Sequence, residues 1–191
     1  MKKYEFTGET KTVPLLFENV TLHRIQAITS FENVVAGELG GWIEKEENLS
    51  QGGNAWVGGN AQVSGNAQVR GNAWVGGNAW VGDNARVDGN AQVGGNAWVG
   101  GNAQVRGNAR VGGDARVFSI NHILTIGVIG SRDDFTTFYR DKDNEITVKC
   151  GCFSGKIDKF LEKVAQTHGD SKYAQVYKKA VELAKLQILT G

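Results

Sequence analysis

The chain has 191 residues, with 21 Lys+Arg against 20 Asp+Glu, a formal net charge of +1 and 40% hydrophobic residues. So even a balance excludes an acidic mimic of DNA and a basic nucleic-acid binder of the usual kind. No run of about 18 apolar residues exists to span a bilayer, and the opening MKKYEFTGETK has no apolar stretch behind its lysines, so neither a membrane contact nor a signal peptide is expected.

The N-terminal part, residues 1–51, reads as a β cap followed by irregular first coils. Tyr4–Thr7 and Val20–Ile28 alternate apolar and polar residues, most clearly in VTLHRIQAI, as half-buried strands do. Trp42 is expected to close the apolar end of whatever follows.

Residues 52–117 are a repeat. Eleven hexads run without interruption from Gly52: GGNAWV, GGNAQV, SGNAQV, RGNAWV, GGNAWV, GDNARV, DGNAQV, GGNAWV, GGNAQV, RGNARV, GGDARV. A period of six does not match the 3.6-residue turn of a helix, but it fits a short strand plus a corner. In Ala-x-Val the Ala and Val share one face and the middle residue points the other way. The inner pair is constant while the outer residue varies among Trp, Gln and Arg, which describes a wall with a dry inside and a wet outside. Gly, Asn and Asp supply the corner because they tolerate positive φ. A disordered Gly-rich linker has no reason to place Val at every sixth position.

The array resembles the hexapeptide-repeat, left-handed parallel β-helix proteins, and VGDNARV (Val81–Val87) matches their motif residue by residue. The resemblance implies a triangular prism with three hexads, or 18 residues, per coil. It overrides the general rule that parallel crossovers wind right-handed. Residues 18 apart then stack in columns. Trp56, Trp74, Gln92 and Arg110 form one, Gln62, Trp80, Trp98 and Arg116 the next, and Gln68, Arg86 and Gln104 the third. At the hexad-opening position Arg70, Asp88 and Arg106 alternate in charge.

Residues 118–191 change character to a small ββ(β)αα domain. Ile123–Ile129 is an apolar strand, and Phe135–Arg140 and Ile146–Cys150 flank DKDNE as a hairpin. Ile157, Phe160, Leu161 and Val164 mark one amphipathic helix. Tyr173, Val176, Tyr177, Ala180, Leu183 and Ala184 mark the inner side of a second. The fold class is therefore mainly β, a parallel β-helix with an N-terminal β cap and a C-terminal α+β domain. The segments GGWIEKEENLS, GSRDDFTTFYR, CGCFSGKIDKF and THG, in this order around a hexad array, are similar to proteins of phages and prophages. That resemblance carries no activity onto particular residues.

Candidate chemistry is sparse. The acyltransferases among hexapeptide proteins rely on histidines at the prism surface or in loops between coils. Here His23, His122 and His168 all lie outside the array and no loop interrupts it, so no enzyme and no catalytic residue is expected. Cys150, Cys152 and His168 lack an evident fourth ligand, so neither a metal nor another cofactor is expected. Two cysteines this close would make a strained bridge, which points to a reduced, cytoplasmic protein of a bacterial host. Gly127–Arg132, GVIGSR, reads first as a strand-ending turn. Its alternative is an anion or nucleotide pocket of Gly130, Ser131 and Arg132 with Tyr139 and Arg140.

The outward Trp and Arg residues point to a protein interface made of Trp56, Trp74, Trp80, Trp98, Arg86, Arg110 and Arg116. The expected function is that of a non-catalytic binding protein that inhibits a bacterial defence component and self-associates as a dimer or trimer. Two alternatives stand beside it: a nucleotide-binding or enzymatic C-terminal domain displayed on the prism, and a structural virion or polymer-forming protein.

Overall fold

The computed structural model describes residues 2–14 and 19–188. Strand β1 (Tyr4–Pro14) pairs antiparallel with β2 (Asn19–Ala27), which pairs antiparallel with β3 (Leu39–Ile43). β3 then pairs in parallel with the first strand of one prism face, so the cap extends that sheet without a break.

Each hexad contributes a two-residue strand. One face stacks β4 (Trp56–Val57), β7 (Trp74–Val75), β10 (Gln92–Val93) and β13 (Arg110–Val111). The second stacks β5 (Gln62–Val63), β8 (Trp80–Val81), β11 (Trp98–Val99) and β14 (Arg116–Val117) beside β3. The third stacks β6 (Gln68–Val69), β9 (Arg86–Val87) and β12 (Gln104–Val105), and Leu49 bridges to Val69 ahead of it. All pairs within the prism are parallel and in the 18-residue register, for example Trp74 with Gln92 and Trp80 with Trp98. The inner Ala and Val of every hexad are buried, and this is what holds the coils together.

The corners follow from the same chemistry. The second position of every hexad has positive φ. Glycine fills it except at Asp83 (φ 55), whose carboxylate accepts the Gly101 N–H at 2.7 Å. One position further on, the side chains form ladders between coils: Asn60 to Asn78, Asn78 to Asn96 and Asn96 to Asp114, at 3.2–3.3 Å. Asp88 and Arg106 of the alternating charge column form an ion pair at 3.3 Å.

A tyrosine closes each end of the prism. At the start, Tyr4 and Ile25 join the core, and the Tyr4 hydroxyl donates to the Leu49 carbonyl at 2.8 Å. Trp42 does not serve here. It lies on the outer side of β3, packed with Val20 and Leu22 between the charged ends of Lys11 (4.3 Å) and Arg24 (5.0 Å). The cause is the register of β3 on the prism, where Trp42 pairs with the outward Gln62 and Ile43 with the inward Val63, and β2 alternates in step. Val20 and Leu22 face Trp42, whereas Ile25 and Ala27 face the prism end.

The C-terminal domain is an antiparallel sheet of β15 (Ile123–Ile129), β16 (Asp134–Arg140), β17 (Ile146–Cys150) and β18 (Phe153–Lys156), followed by α1 (Ile157–His168) and α2 (Lys172–Ile188). The fourth strand, absent from the sequence reading, arises because Cys150-Gly151-Cys152 is a tight turn with Gly151 at φ 57. One sheet face, with Phe138, Val148 and Cys150, packs on the helices. From the other, Tyr139 reaches the prism core together with Ile123. The buried side of α2 is Ala174, Tyr177, Ala180, Val181, Ala184 and Ile188, so Val176 and Leu183, read as inward, stand exposed. Among the described residues no helix is long and apolar enough to cross a membrane.

Candidate binding surfaces

The second prism face carries an aromatic ladder. Trp80 and Trp98 occupy the outward middle positions of stacked hexads, with ring centroids 5.4 Å apart and planes 66° apart. Phe118 continues the ladder 6.3 Å from Trp98, and Ile120 stands exposed close by in sequence. The Arg116 guanidinium lies 5.2 Å above the Trp98 ring and is held there by the carbonyls of Asn96 (3.1 Å) and Ala115 (2.9 Å). Trp98 is 43% and Phe118 38% exposed. The group is thus rigid, apolar and open to solvent, with one fixed cation on it.

What lets the rings lie down is a glycine two residues on. A Cβ on Gly82 would sit 2.0 Å from the Trp80 ring, and one on Gly76 would sit 2.7 Å from the Trp74 indole nitrogen. Every Trp of the array is followed by Gly at this spacing, whereas Gln and Arg are followed by Gly, Ser, Arg, Asp or Phe. That pattern is visible in the sequence and was the available signal for flat-lying rings. Phe118 was missed because it falls just past the last hexad, where the next one would open.

The other expected interface residues are not gathered on this face. Trp56 is fully buried although its position points outward. Phe31, in the loop before β3, packs edge-on to it at 5.6 Å, and its indole nitrogen has no hydrogen-bond partner. Trp74 and Arg110 share Trp56's face and are exposed, while Arg86 is exposed on the third face. A flat partner cannot touch all seven, because they lie on three sides of a prism.

The residues of the expected anion pocket also divide. Gly130, Ser131 and Arg132 lie at the turn between β15 and β16, with Gly130 pressed against the Tyr177 hydroxyl. The Ser131 hydroxyl is 3.4 Å from His168 Nε2, and Arg132 Nη1 is 3.8 Å from Cys152 Sγ. With Cys150 and Phe160 they line a cleft of about 300 Å³. Burial, and after it the neighbouring Cys150, pushes the Tyr177 phenol up to about 12, so it stays protonated. Tyr139 and Arg140 are elsewhere. The Tyr139 phenol is sealed at the prism end, bonded to Ser154 and the Gly112 backbone, and burial raises its pKa. Arg140, at the far end of β16, contacts His122 Nε2 at 3.0 Å and Asn144. Burial and then the Arg140 charge lower the His122 pKa, and the ring accepts the Phe118 N–H at Nδ1 at 3.1 Å. Among the described residues no group of three or more His, Cys, Asp or Glu could hold a metal ion.

No protein-family model matches the chain. The sequence is similar to that of the uncharacterized acetyltransferase YdcK of Escherichia coli (strain K12), being 39% identical over 61 residues, or 30% of this chain. The chain spans about a fifth of that protein's length, 19%. The likeness agrees with the hexad period and the 18-residue register in describing a hexapeptide-repeat β-helix.

Proposed function

We propose that the protein is a non-catalytic binding scaffold that engages a partner protein through the Trp80–Trp98–Phe118 ladder and Arg116. The observation that carries this reading is the rigid aromatic ladder left open to solvent beside a pinned guanidinium. Aromatic and Arg side chains dominate binding energy at protein interfaces, and groups already held in place lose little rotamer entropy on binding. The similarity of the chain's motifs to phage and prophage proteins supports a bacterial defence component as the partner, with inhibition by occupying its surface.

Phage plating on strains carrying single defence systems, with and without this protein, tests the reading. Rescue of plating that a Trp98→Ala, Arg116→Glu variant loses while keeping its circular dichroism spectrum is the expected result. Absence of rescue together with detection of the protein in purified virions replaces it by a structural role. Light scattering on the same two proteins separates self-association: a dimer or trimer that the variant dissolves makes a second copy the occupant.

The name of the E. coli relative supports a second reading, acyl transfer. Against it, the array contains no histidine, and both ring nitrogens of His122 are in contact with other groups. Turnover of acetyl-coenzyme A by the purified protein, abolished by a substitution in the prism, would establish the second reading over the first.

A further inference from the structure

Between the first prism face and the four-stranded sheet lies a separate cleft of about 320 Å³. We propose that it binds a nucleoside phosphate, with the base on Trp74 and the phosphate between Arg110 and Lys149.

Three features point to this class of ligand. The indole of Trp74 forms one end of the cleft, 37% exposed and supported from behind by Gly76, so one ring face is open for stacking. Trp74, Gln92 and Arg110 are successive rungs of one parallel ladder, which puts Arg110 about 10 Å from Trp74 at two strand spacings. Lys149 comes from the opposite wall. It alternates with the buried Val148 and Cys150 on β17 and therefore projects on the side of Tyr139, toward the prism.

The charge of the cleft is one-sided. Arg110 and Lys149 line it, no Asp or Glu does, and neither cation makes a side-chain hydrogen bond or ion pair with any described residue. Two free cations facing each other repel, and an anion between them removes that cost. Arg and Lys are the usual donors to phosphate, whereas a flat aromatic face favours a flat partner. The volume is that of a small-molecule site at the lower end of the usual 300–1,000 Å³ range.

The glycines along the cleft agree. Many glycines of the array are explained by positive φ or by a neighbour that a Cβ would strike. Gly94 and Gly112 are explained by neither, since their φ is ordinary and nothing lies within 4 Å of an added Cβ. Both line this cleft. A Cβ at either position meets no atom of the fold, and a longer side chain would enter the space assigned to the ligand.

Isothermal titration calorimetry of the full chain with ADP, GDP, CDP and UDP, each beside its nucleoside and inorganic phosphate, tests the assignment. At least one diphosphate is expected to saturate, with its nucleoside and phosphate alone each at least tenfold weaker. Arg110→Ala and Lys149→Ala should each weaken binding about tenfold. Gly94→Leu should abolish it while leaving the melting temperature unchanged. Failure of all four diphosphates to bind at millimolar concentration overturns the proposal, as does binding that survives Gly94→Leu. Coenzyme A in the same titration marks the acyl-carrier case: affinity for it well above that for ADP, lost in Gly94→Leu, reassigns the cleft. The Trp98→Ala, Arg116→Glu variant should bind the nucleotide normally, so failure here is distinct from failure of the protein-binding reading.

Discussion

The prism and the C-terminal domain bury their apolar residues by opposite means. In the prism, one Ala and one Val per hexad repeat along three walls, and each coil is stabilised by the coils above and below it. In the domain, Phe138, Phe160 and Tyr177 interlock at centroid distances of 5.4–6.4 Å, and no residue's role repeats. The contrast shows where information sits in each part. In the prism a residue's cost of replacement follows from its place in the hexad and from whether its coil is central or covered. In the domain it follows from which particular neighbours it meets.

The sharpest test sets inside against outside on one prism face. Val75→Asp buries an unpaired charge in the prism and should cost more than about 4 kcal/mol, enough to unfold the chain. Gln92→Asp, on the adjoining rung but outward, should stay within about 0.5 kcal/mol. Urea titration followed by circular dichroism reads both. Similar costs would mean that the coils do not share a dry interior.

Next comes the difference between a covered coil and a free one. The hexads Gly52–Val57 and Gly94–Val99 are identical in sequence, yet Trp56 is 0% and Trp98 43% exposed. Trp56→Ala should lose about 3 kcal/mol or more and Trp98→Ala less than about 1 kcal/mol. Equal losses would show that the loop carrying Phe31 does not cover the first coil in solution.

Neighbouring glycines give a smaller contrast. Gly95 has φ 64, and a Cβ there would lie 2.7 Å from the Gly113 nitrogen, so Gly95→Ala should cost about 1–3 kcal/mol. Gly94→Ala should be neutral or slightly stabilising. Melting temperatures of the two variants decide it.

The smallest effect concerns the junction between the two regions. Asp141 bridges to Ala115 of the prism and accepts from the Asp143 and Glu145 amides, the Thr147 hydroxyl and the Lys156 ammonium. Burial pushes its carboxyl up, but the Lys156 and Thr147 bonds and the two amides outweigh this, and the net pKa lies below the ordinary 3.8. A depressed carboxylate contributes stability that is present above pH 3.8 and is lost as the pH falls through its folded value. Asp141→Asn should therefore cost about 1 kcal/mol at neutral pH and less at the acid end, flattening the acid limb of the stability profile. An unchanged acid limb would mean that the Asp141 carboxylate does not hold the hairpin that meets the prism at Ala115.

The hexad period determined the wall of short strands and corners, and the resemblance to hexapeptide-repeat proteins implied the three-sided coil of 18 residues that the strand register shows. Only a strand with a corner can repeat every six residues, and Ala-x-Val states which side is dry. The inward valines, the outward Trp, Gln and Arg, and the columns 18 apart were all legible, as were β15, β16, β17 and both helices from their alternation or spacing. The parts that escaped depend on contacts between distant segments. Trp56 and Trp98 sit in the same six letters, and what tells them apart is the cap, which lays Phe31 and Gly40 against Trp56. Trp42 turns outward because β3 pairs in parallel with β5, Trp42 beside Gln62 and Ile43 beside Val63, and that pairing joins segments some 20 residues apart. Tyr139 reads as a pocket residue beside Arg140, but neighbours on a strand point to opposite faces. The docking of the sheet onto the last coil sends Tyr139 into the prism and leaves Arg140 at the rim. A repeat sequence states the environment of its average residue. Where the repeat ends, the environment is set by what covers it, and that is a property of the folded chain.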